Sequence, residues 1–324
     1  MHTIENLREI TDKEIEKMNF AGHPPRELYQ PVDYIMSVGG KRLRPVLALL
    51  TCQLFSDDIT PCIKPAVAIE LFHNFTLLHD DIMDKADIRR GKPTVHKKWN
   101  ENTAILSGDA MVVISFDLIS SADPEILPQL LTVYNKTAIE VCEGQQMDMN
   151  FETMLHVDEE SYLKMIRLKT AVLIAAAMKI GAITGGASEN DASLMYDSGL
   201  NLGMAFQLQD DLLDLYAEKE KFGKKPGGDI LMNKKTILLI KAFQRADAGT
   251  AEKLSNLLEK ENDPEIKVNE IRKIFDRLDI ETIAGKMAES YFKGSIASLN
   301  ATNSLKQRKK EFTGFIETVM NRKS

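Results

Sequence analysis

The chain has 324 residues, 44% of them hydrophobic and 27% charged, and a formal net charge of −7. That length supplies a large core, in one big domain or two ordinary ones, and the acidic balance excludes a general affinity for nucleic acid. Three cysteines, Cys52, Cys62 and Cys142, form no CxxC pair and no disulfide framework. They read as small core residues of a cytoplasmic protein.

The first residues, Met1 to Ile10, carry charge early and lack an apolar signal core. Gly39-Gly40 then opens a basic segment, Gly39-Gly40-Lys41-Arg42-Leu43-Arg44-Pro45. Arginine forks onto phosphate oxygens, lysine supplies a mobile point charge, and glycine lets a backbone come close. The plainer reading is a helix-capping loop with solvated charges. Val46, Leu47, Leu49, Leu50 and Leu54 form a helical stripe, broken between Asp57 and Pro61. A second stripe, Ala66, Ile69, Phe72, His73 and Thr76, leads into Asp80-Asp81-Ile82-Met83-Asp84. The loop Asp87-Ile88-Arg89-Arg90-Gly91-Lys92-Pro93-Thr94 brings more cations directly after it.

Beyond the break at Asp123-Pro124 comes Glu143-Gly144-Gln145-Gln146-Met147-Asp148, and then a stripe of Leu163, Ile166, Ala171, Ile174 and Met178. Lys169-Thr170 sits on that apolar helix, where a buried lysine needs an anionic partner. Past Gly185-Gly186, the stripe Leu202, Ala205, Phe206, Gln209, Leu212 and Leu213 runs through a second acidic signature, Asp210-Asp211-Leu212-Leu213-Asp214. Gln207 lies one turn before Asp210. Lys221, Lys224, Lys225, Lys234 and Lys235 surround Pro226-Gly227-Gly228-Asp229, which reads as a lid over phosphate or as a solvated loop. The polar stretch from Asp247 to Val268 predicts peripheral helices and turns. No alternating strand pattern appears. No run reaches about 20 uninterrupted apolar residues, and the best, Ala171 to Ala187, is broken by Lys179 and glycines, so no membrane span is expected. The expectation is one all-α domain over 1–324.

Both acidic signatures read DDxxD. A helix sets residues i and i+4 on one face, about 6 Å apart, which pairs Asp80 with Asp84 and Asp210 with Asp214. A lone acidic run is usually a solvated face. Here Leu77, Leu78, Ile82 and Met83 surround one motif, and Phe206, Leu208, Leu212, Leu213 and Leu215 the other. Charge in such company needs partners. Two such pairs across a shared cavity repel unless cations lie between them, and carboxylates suit Mg²⁺ shared with phosphate oxygens. Two basic loops suggest two phosphate groups, one gripped through metal and arginine and one by cations alone. His79-Asp80 is also the dyad of metal phosphohydrolases, but His2, His23, His96 and His156 offer no completing pattern. No nucleophile elbow, P-loop or GxGxxG fingerprint occurs.

Together these residues resemble the trans-isoprenyl diphosphate synthases, the polyprenyl synthetase family. The resemblance rests on GGKRLRP (39–45), LLHDDIMDKADIRRGKPTVH (77–96), LSGDA (106–110), Lys169-Thr170, FQLQDDLLD (206–214) and GKKPGGDI (223–230). It implies an all-α bundle around a deep central cavity, a homodimer, and Mg²⁺. It implies that Asp80, Asp84 and Asp210 are the main Mg²⁺ ligands, with Asp81, Asp211 and Asp214 beside or behind them. Arg89, Lys169, Lys225 and Lys234 match positions that hold an allylic diphosphate, with Lys224 a rival to Lys225. Lys41, Arg44, His73 and Arg90 match the isopentenyl diphosphate site, and Thr170 and Gln207 match groups near the reacting carbons. The resemblance also implies a chain-length floor at Phe75 and Thr76, in the pattern of synthases making fifteen- or twenty-carbon products. The competing readings are a class I terpene cyclase and a non-catalytic subunit of a heteromeric synthase. Cyclases commonly pair one DDxxD with a mixed metal motif, and such subunits often lose acidic residues.

Overall fold

The computed structural model describes residues 2–217, 227–261 and 263–320. The chain is helical as expected. In order come α1 (Ile4–Lys17), α2 (Arg26–Ser37), α3 (Leu43–Phe55), α4 (Thr60–Met83), α5 (Val95–Lys98) and α6 (Glu101–Ser120). Next are α7 (Leu127–Thr153), α8 (Glu159–Ile166), a π-turn (Arg167–Ala171), α9 (Val172–Thr184) and α10 (Glu189–Tyr216). The rest comprises α11 (Gly228–Leu231), α12 (Ile237–Arg245), α13 (Ala248–Lys260), α14 (Pro264–Arg277), α15 (Ile280–Ala301) and α16 (Lys306–Met320). One departure from the strandless expectation is a short antiparallel ladder pairing Ile88 with Pro93 and Arg89 with Lys92. It is too short for an alternating pattern to announce it.

The chain divides into two compact units. The first comprises Met1–Asn135, Ala176–Tyr196 and Thr302–Phe312. Its axis is α4, whose Ala66–Phe72 stretch is buried on every side, as a helix apolar all round must be. α3 is buried from Pro45 to Leu54 and packs on α4, as does α6. The Ser115 hydroxyl of α6 donates to the Ala68 carbonyl of α4 at 2.7 Å. Asn100 caps α6, its side-chain oxygen accepting the Thr103 N–H at 2.8 Å, a contact of about 1 kcal/mol.

The second unit comprises Lys136–Ala175, Asp197–Ala301 and Thr313–Ser324. Its core gathers Leu208, Leu212 and Leu215 of α10 with Ile237 of α12 and Ile271 and Phe275 of α14. Ser198 of α10 hydrogen-bonds to the Ser295 carbonyl of α15 at 2.9 Å.

Two expectations change. Cys52 and Cys62 are buried, but Cys142 is exposed on α7, because its position on that helix faces outward. The apolar run 171–187 is split between the π-turn and α9. Among the described residues α6 is instead the helix long and apolar enough to cross a bilayer, and its Ala104, Ser107, Gly108, Met111 and Ser115 side is buried in the first unit.

Candidate active site

In the first unit the C-terminal end of α4 carries the first acidic motif. Asp84 caps the helix, and its N–H donates to the Asp80 carbonyl at 2.8 Å. This sets Asp80 and Asp84 on successive turns of one face, with Asp80 half-buried and Asp84 exposed. Asp81 points elsewhere. It is buried, and Arg89 forks onto it, with Nε 2.9 Å from both carboxylate oxygens and Nη2 2.7 Å from Oδ1. A bidentate pair of this kind fixes direction as well as charge. Arg89 also stands 4.0 Å from Asp80. The ladder at Arg89–Lys92 is what returns the basic loop to the helix end.

About 10 Å back along the α4 axis, two helical turns from Asp80, lies His73. Arg44 Nη1 stands 3.1 Å from His73 Nε2. A guanidinium only donates, so Nε2 accepts and the ring is neutral with its proton on Nδ1. Burial, then the charges of Arg44, Arg90, Arg89 and Arg42, hold the His73 pKa well below its usual value. Gly40, at φ +155°, lets the Arg90 guanidinium approach so closely that a Cβ there would stand 2.7 Å from Nη1. The structure thus brings Arg44, His73 and Arg90 together around the Gly39-Gly40-Lys41 loop.

Arg42, the middle cation of that loop, has a different task. It adopts the left-handed conformation, φ 48°, that starts α3. Its guanidinium donates to Asp12 Oδ1 at 2.9 Å, Glu70 Oε1 at 2.9 Å and the Met36 carbonyl at 2.8 Å. Glu70 is buried on α4, so the pair anchors the loop from inside. Removing one partner of such a pair costs about 3–5 kcal/mol.

In the second unit α10 ends with the second motif. Asp211 is buried and accepts hydrogen bonds from the Tyr162 hydroxyl and from Gln207 Nε2 at 3.1 Å. Burial raises its pKa to about 7 despite those bonds. Burial and the neighbouring carboxylate push the Tyr162 hydroxyl well above its ordinary range. Asp214 Oδ2 accepts the Asp229 N–H at 3.0 Å, and its carbonyl accepts the Gly227 N–H at 2.7 Å, so Asp214 ties down the start of α11. Asp210 remains half-buried. Asp211, Asp214, Asp229 and Lys234 line one small enclosed pocket.

Lys169 and Thr170 sit on the π-turn. Lys169 Nζ donates to Asp148 Oδ2 at 2.6 Å, and the Thr170 hydroxyl donates to Gln207 Oε1 at 3.1 Å. A continuous relay therefore runs from Thr170 through Gln207 to Asp211 and Tyr162. Lys221, Lys224 and Lys225 lie outside the described residues.

Phe75 packs edge-on against Phe72 (centroids 5.4 Å) and His79 (4.7 Å). The Thr76 hydroxyl is turned back to the His73 carbonyl at 2.7 Å. His79 Nε2 lies 3.1 Å from the Ile105 carbonyl of α6, which engages it away from the aspartates and removes support for a phosphohydrolase dyad.

Among the described residues no three His, Cys, Asp or Glu side chains form a ready-made metal cluster. Mg²⁺ does not require one, because it keeps waters and takes only one or two carboxylates plus phosphate oxygens. Asp80, Asp84 and Asp210 offer hard oxygen donors of the right kind.

Sequence reasoning assigned no role to Glu70, Tyr162 or Asp229. A glutamate inside the apolar run Ala66–Phe72 was a signal that a buried cation must meet it. Tyr162 carried no comparable signal.

The polyprenyl synthetase family matches residues 25–275. A geranylgeranyl diphosphate synthase of Methanosarcina mazei is 46% identical over 68% of this chain and 69% of its own. A geranylfarnesyl diphosphate synthase of Natronomonas pharaonis is 38% identical over 74% of this chain and 75% of its own. A crystal structure of a geranylgeranyl pyrophosphate synthase superposes with a TM-score of 0.93 at 42% identity, covering 100% of both chains. The chain belongs to the polyprenyl synthetase family. It is a trans-prenyltransferase, and the cyclase and non-catalytic-subunit readings find no support.

Proposed function

We propose that the enzyme condenses isopentenyl diphosphate with dimethylallyl, geranyl or farnesyl diphosphate to give an all-trans prenyl diphosphate of fifteen or twenty carbons. One observation carries this reading. On α4, an acidic pair at Asp80 and Asp84 lies two turns from a cationic cluster built on Arg44, His73 and Arg90. These are grips of opposite kind. Cations hold a diphosphate directly, while carboxylates hold one only through a divalent ion. Two grips of different kind suit a reaction between two diphosphates held separately.

In this reading Lys41, Arg44, His73 and Arg90 hold isopentenyl diphosphate. His73 stays neutral, so it orients the ligand by hydrogen bonding, and Arg42 with Glu70 keeps the loop in place. Asp80, Asp84 and Asp210 hold Mg²⁺, with Asp81, Asp211 and Asp214 supporting them. Bound Mg²⁺ neutralises charge that builds on the departing diphosphate. Arg89, Lys169, Lys234 and either Lys224 or Lys225 add fixed positive charge at the same diphosphate. The allylic C–O bond ionises with its electron pair going to the diphosphate. Water must be kept out, because it would quench the allyl cation to an alcohol. The double bond of isopentenyl diphosphate then attacks C1, and a proton passes to the released diphosphate. The Thr170 hydroxyl and Gln207 amide are the polar groups assigned to the cation, and no side chain need act as a strong base.

A single catalytic domain over residues 1–324 is the proposed organisation. The cytoplasm is the proposed compartment, one in which Cys52, Cys62 and Cys142 would stay reduced. A homodimer is the proposed assembly. Leu106 and Val113 of α6 are 60% and 67% exposed, and with Ile105 and Phe116 they make an apolar stripe suited to a second copy. Phe75 is the proposed limit on product length.

Three measurements test these assignments. Asp80→Ala or Asp210→Ala is expected to lower turnover by roughly 10³-fold or more with unchanged circular dichroism; near-native turnover in either folded variant contradicts the roles given. Phe75→Ala is expected to lengthen the product, read by chromatography of the dephosphorylated alcohols, and an unchanged distribution removes Phe75. Sedimentation at micromolar concentration is expected to give the dimer mass, against a chain mass of 36.4 kDa; a monomer rules the assembly out.

A further inference from the structure

The π-turn that carries Lys169 and Thr170 is approached closely from two sides. α7 passes it at Gly144, where a Cβ would stand 2.3 Å from the Lys169 amide nitrogen and 2.7 Å from Lys169 Cα. α10 passes it at Gly203, where a Cβ would stand 2.5 Å from Ala171 Cα and 2.8 Å from Ala171 Cβ. None of these atoms ends a flexible side chain, so none can swing aside. Ordinary contact begins at 3.4 Å, so a methyl group at either glycine must displace the turn or the helix.

Each glycine is paired with a polar residue one turn further on the same helix face. On α7, Gly144 is followed by Asp148, which takes the Lys169 ammonium at 2.6 Å. On α10, Gly203 is followed by Gln207, which takes the Thr170 hydroxyl at 3.1 Å. A π-turn changes the phase of the residues it carries, and such turns are frequent at functional sites. Here it sends consecutive side chains to two different helices. Each helix offers a gap for the backbone and, one turn on, a partner for one side chain.

We propose that Gly144 and Gly203 are positioning residues. They seat the π-turn so that Lys169 is presented in register for the allylic diphosphate group and Thr170 for the carbons beside it. This rests on the roles proposed above for those two side chains.

The test places Gly144→Ala and Gly203→Ala in the native chain and in a Lys169→Ala/Thr170→Ala background. Turnover is measured with Mg²⁺, isopentenyl diphosphate and farnesyl diphosphate, and folding by near-ultraviolet circular dichroism. In the native chain each substitution is expected to lower kcat by about 100-fold, the effect of a misplacement near 1 Å. The KM for isopentenyl diphosphate should stay within about twofold, because that site lies on other residues. In the doubly substituted background the same changes should alter kcat by less than about twofold, since they act through side chains already removed. Native kcat in a folded Gly144→Ala protein overturns the proposal. So does an equal loss in both backgrounds, or failure of both variants to fold, since either makes the glycines packing residues only. Native kinetics in the Lys169→Ala/Thr170→Ala protein would instead overturn the roles of Lys169 and Thr170, and the positioning role with them.

Discussion

Charge of both signs gathered against one apolar helix, α4, is the constraint that organises the first unit. It is greasy enough to be buried through its middle, yet its last turns carry Asp80, Asp81 and Asp84, and His73 lies beneath three arginines. Like charges at such spacing repel, so each cluster needs backing from elsewhere. Arg89 backs the acidic end through Asp81. Asp12 and Glu70 back the basic loop through Arg42. These contacts fix where the two clusters stand and which atoms they present. A neutral His73 follows from the same arrangement, because a further positive charge among Arg44, Arg89 and Arg90 would be strongly disfavoured.

The two acidic motifs divide labour in the same way. In each, the second aspartate is buried and bound by protein: Asp81 by Arg89, Asp211 by Tyr162 and Gln207. In each, the first aspartate stays accessible. The third differs, since Asp84 ends its helix in the open while Asp214 anchors Gly227 and Asp229 at the start of α11. In both motifs the second aspartate is thus a structural carboxylate with its own protein partner, which accounts for consecutive aspartates where electrostatics alone would disfavour them. In the second unit the hydrogen-bonded relay from Thr170 to Tyr162 makes the π-turn and the acidic motif parts of one structure.

The helical fold was legible because its signals are local: apolar spacing, Gly and Pro breaks, and paired aspartates at i and i+4. The basic segments were legible for the same reason, since Lys41, Arg44 and Arg90 lie in short cation-rich stretches of sequence. The direction in which each charge points was not. Which aspartate of a motif turns inward depends on Arg89, which a two-residue ladder returns to the helix, and on Tyr162, far away in sequence. Arg42 looks like its neighbours Lys41 and Arg44 until Glu70 and Asp12 are seen around it. The π-turn leaves no mark in composition, because one extra residue in a helical turn alters phase without altering residue type. Cys142 shows the converse: a residue type that favours burial stands exposed because its helix position decides.

The account stands on two diphosphate grips of opposite chemistry, one cationic and one dependent on a divalent ion. Calorimetric titration of the native enzyme with isopentenyl diphosphate, and separately with a non-ionisable farnesyl diphosphate analogue, in Mg²⁺ and again in excess EDTA, tests this most directly. Isopentenyl diphosphate is expected to bind with similar affinity in both conditions, and the analogue only with Mg²⁺. Loss of isopentenyl diphosphate binding in EDTA, or undiminished binding of the analogue without metal, would contradict the account.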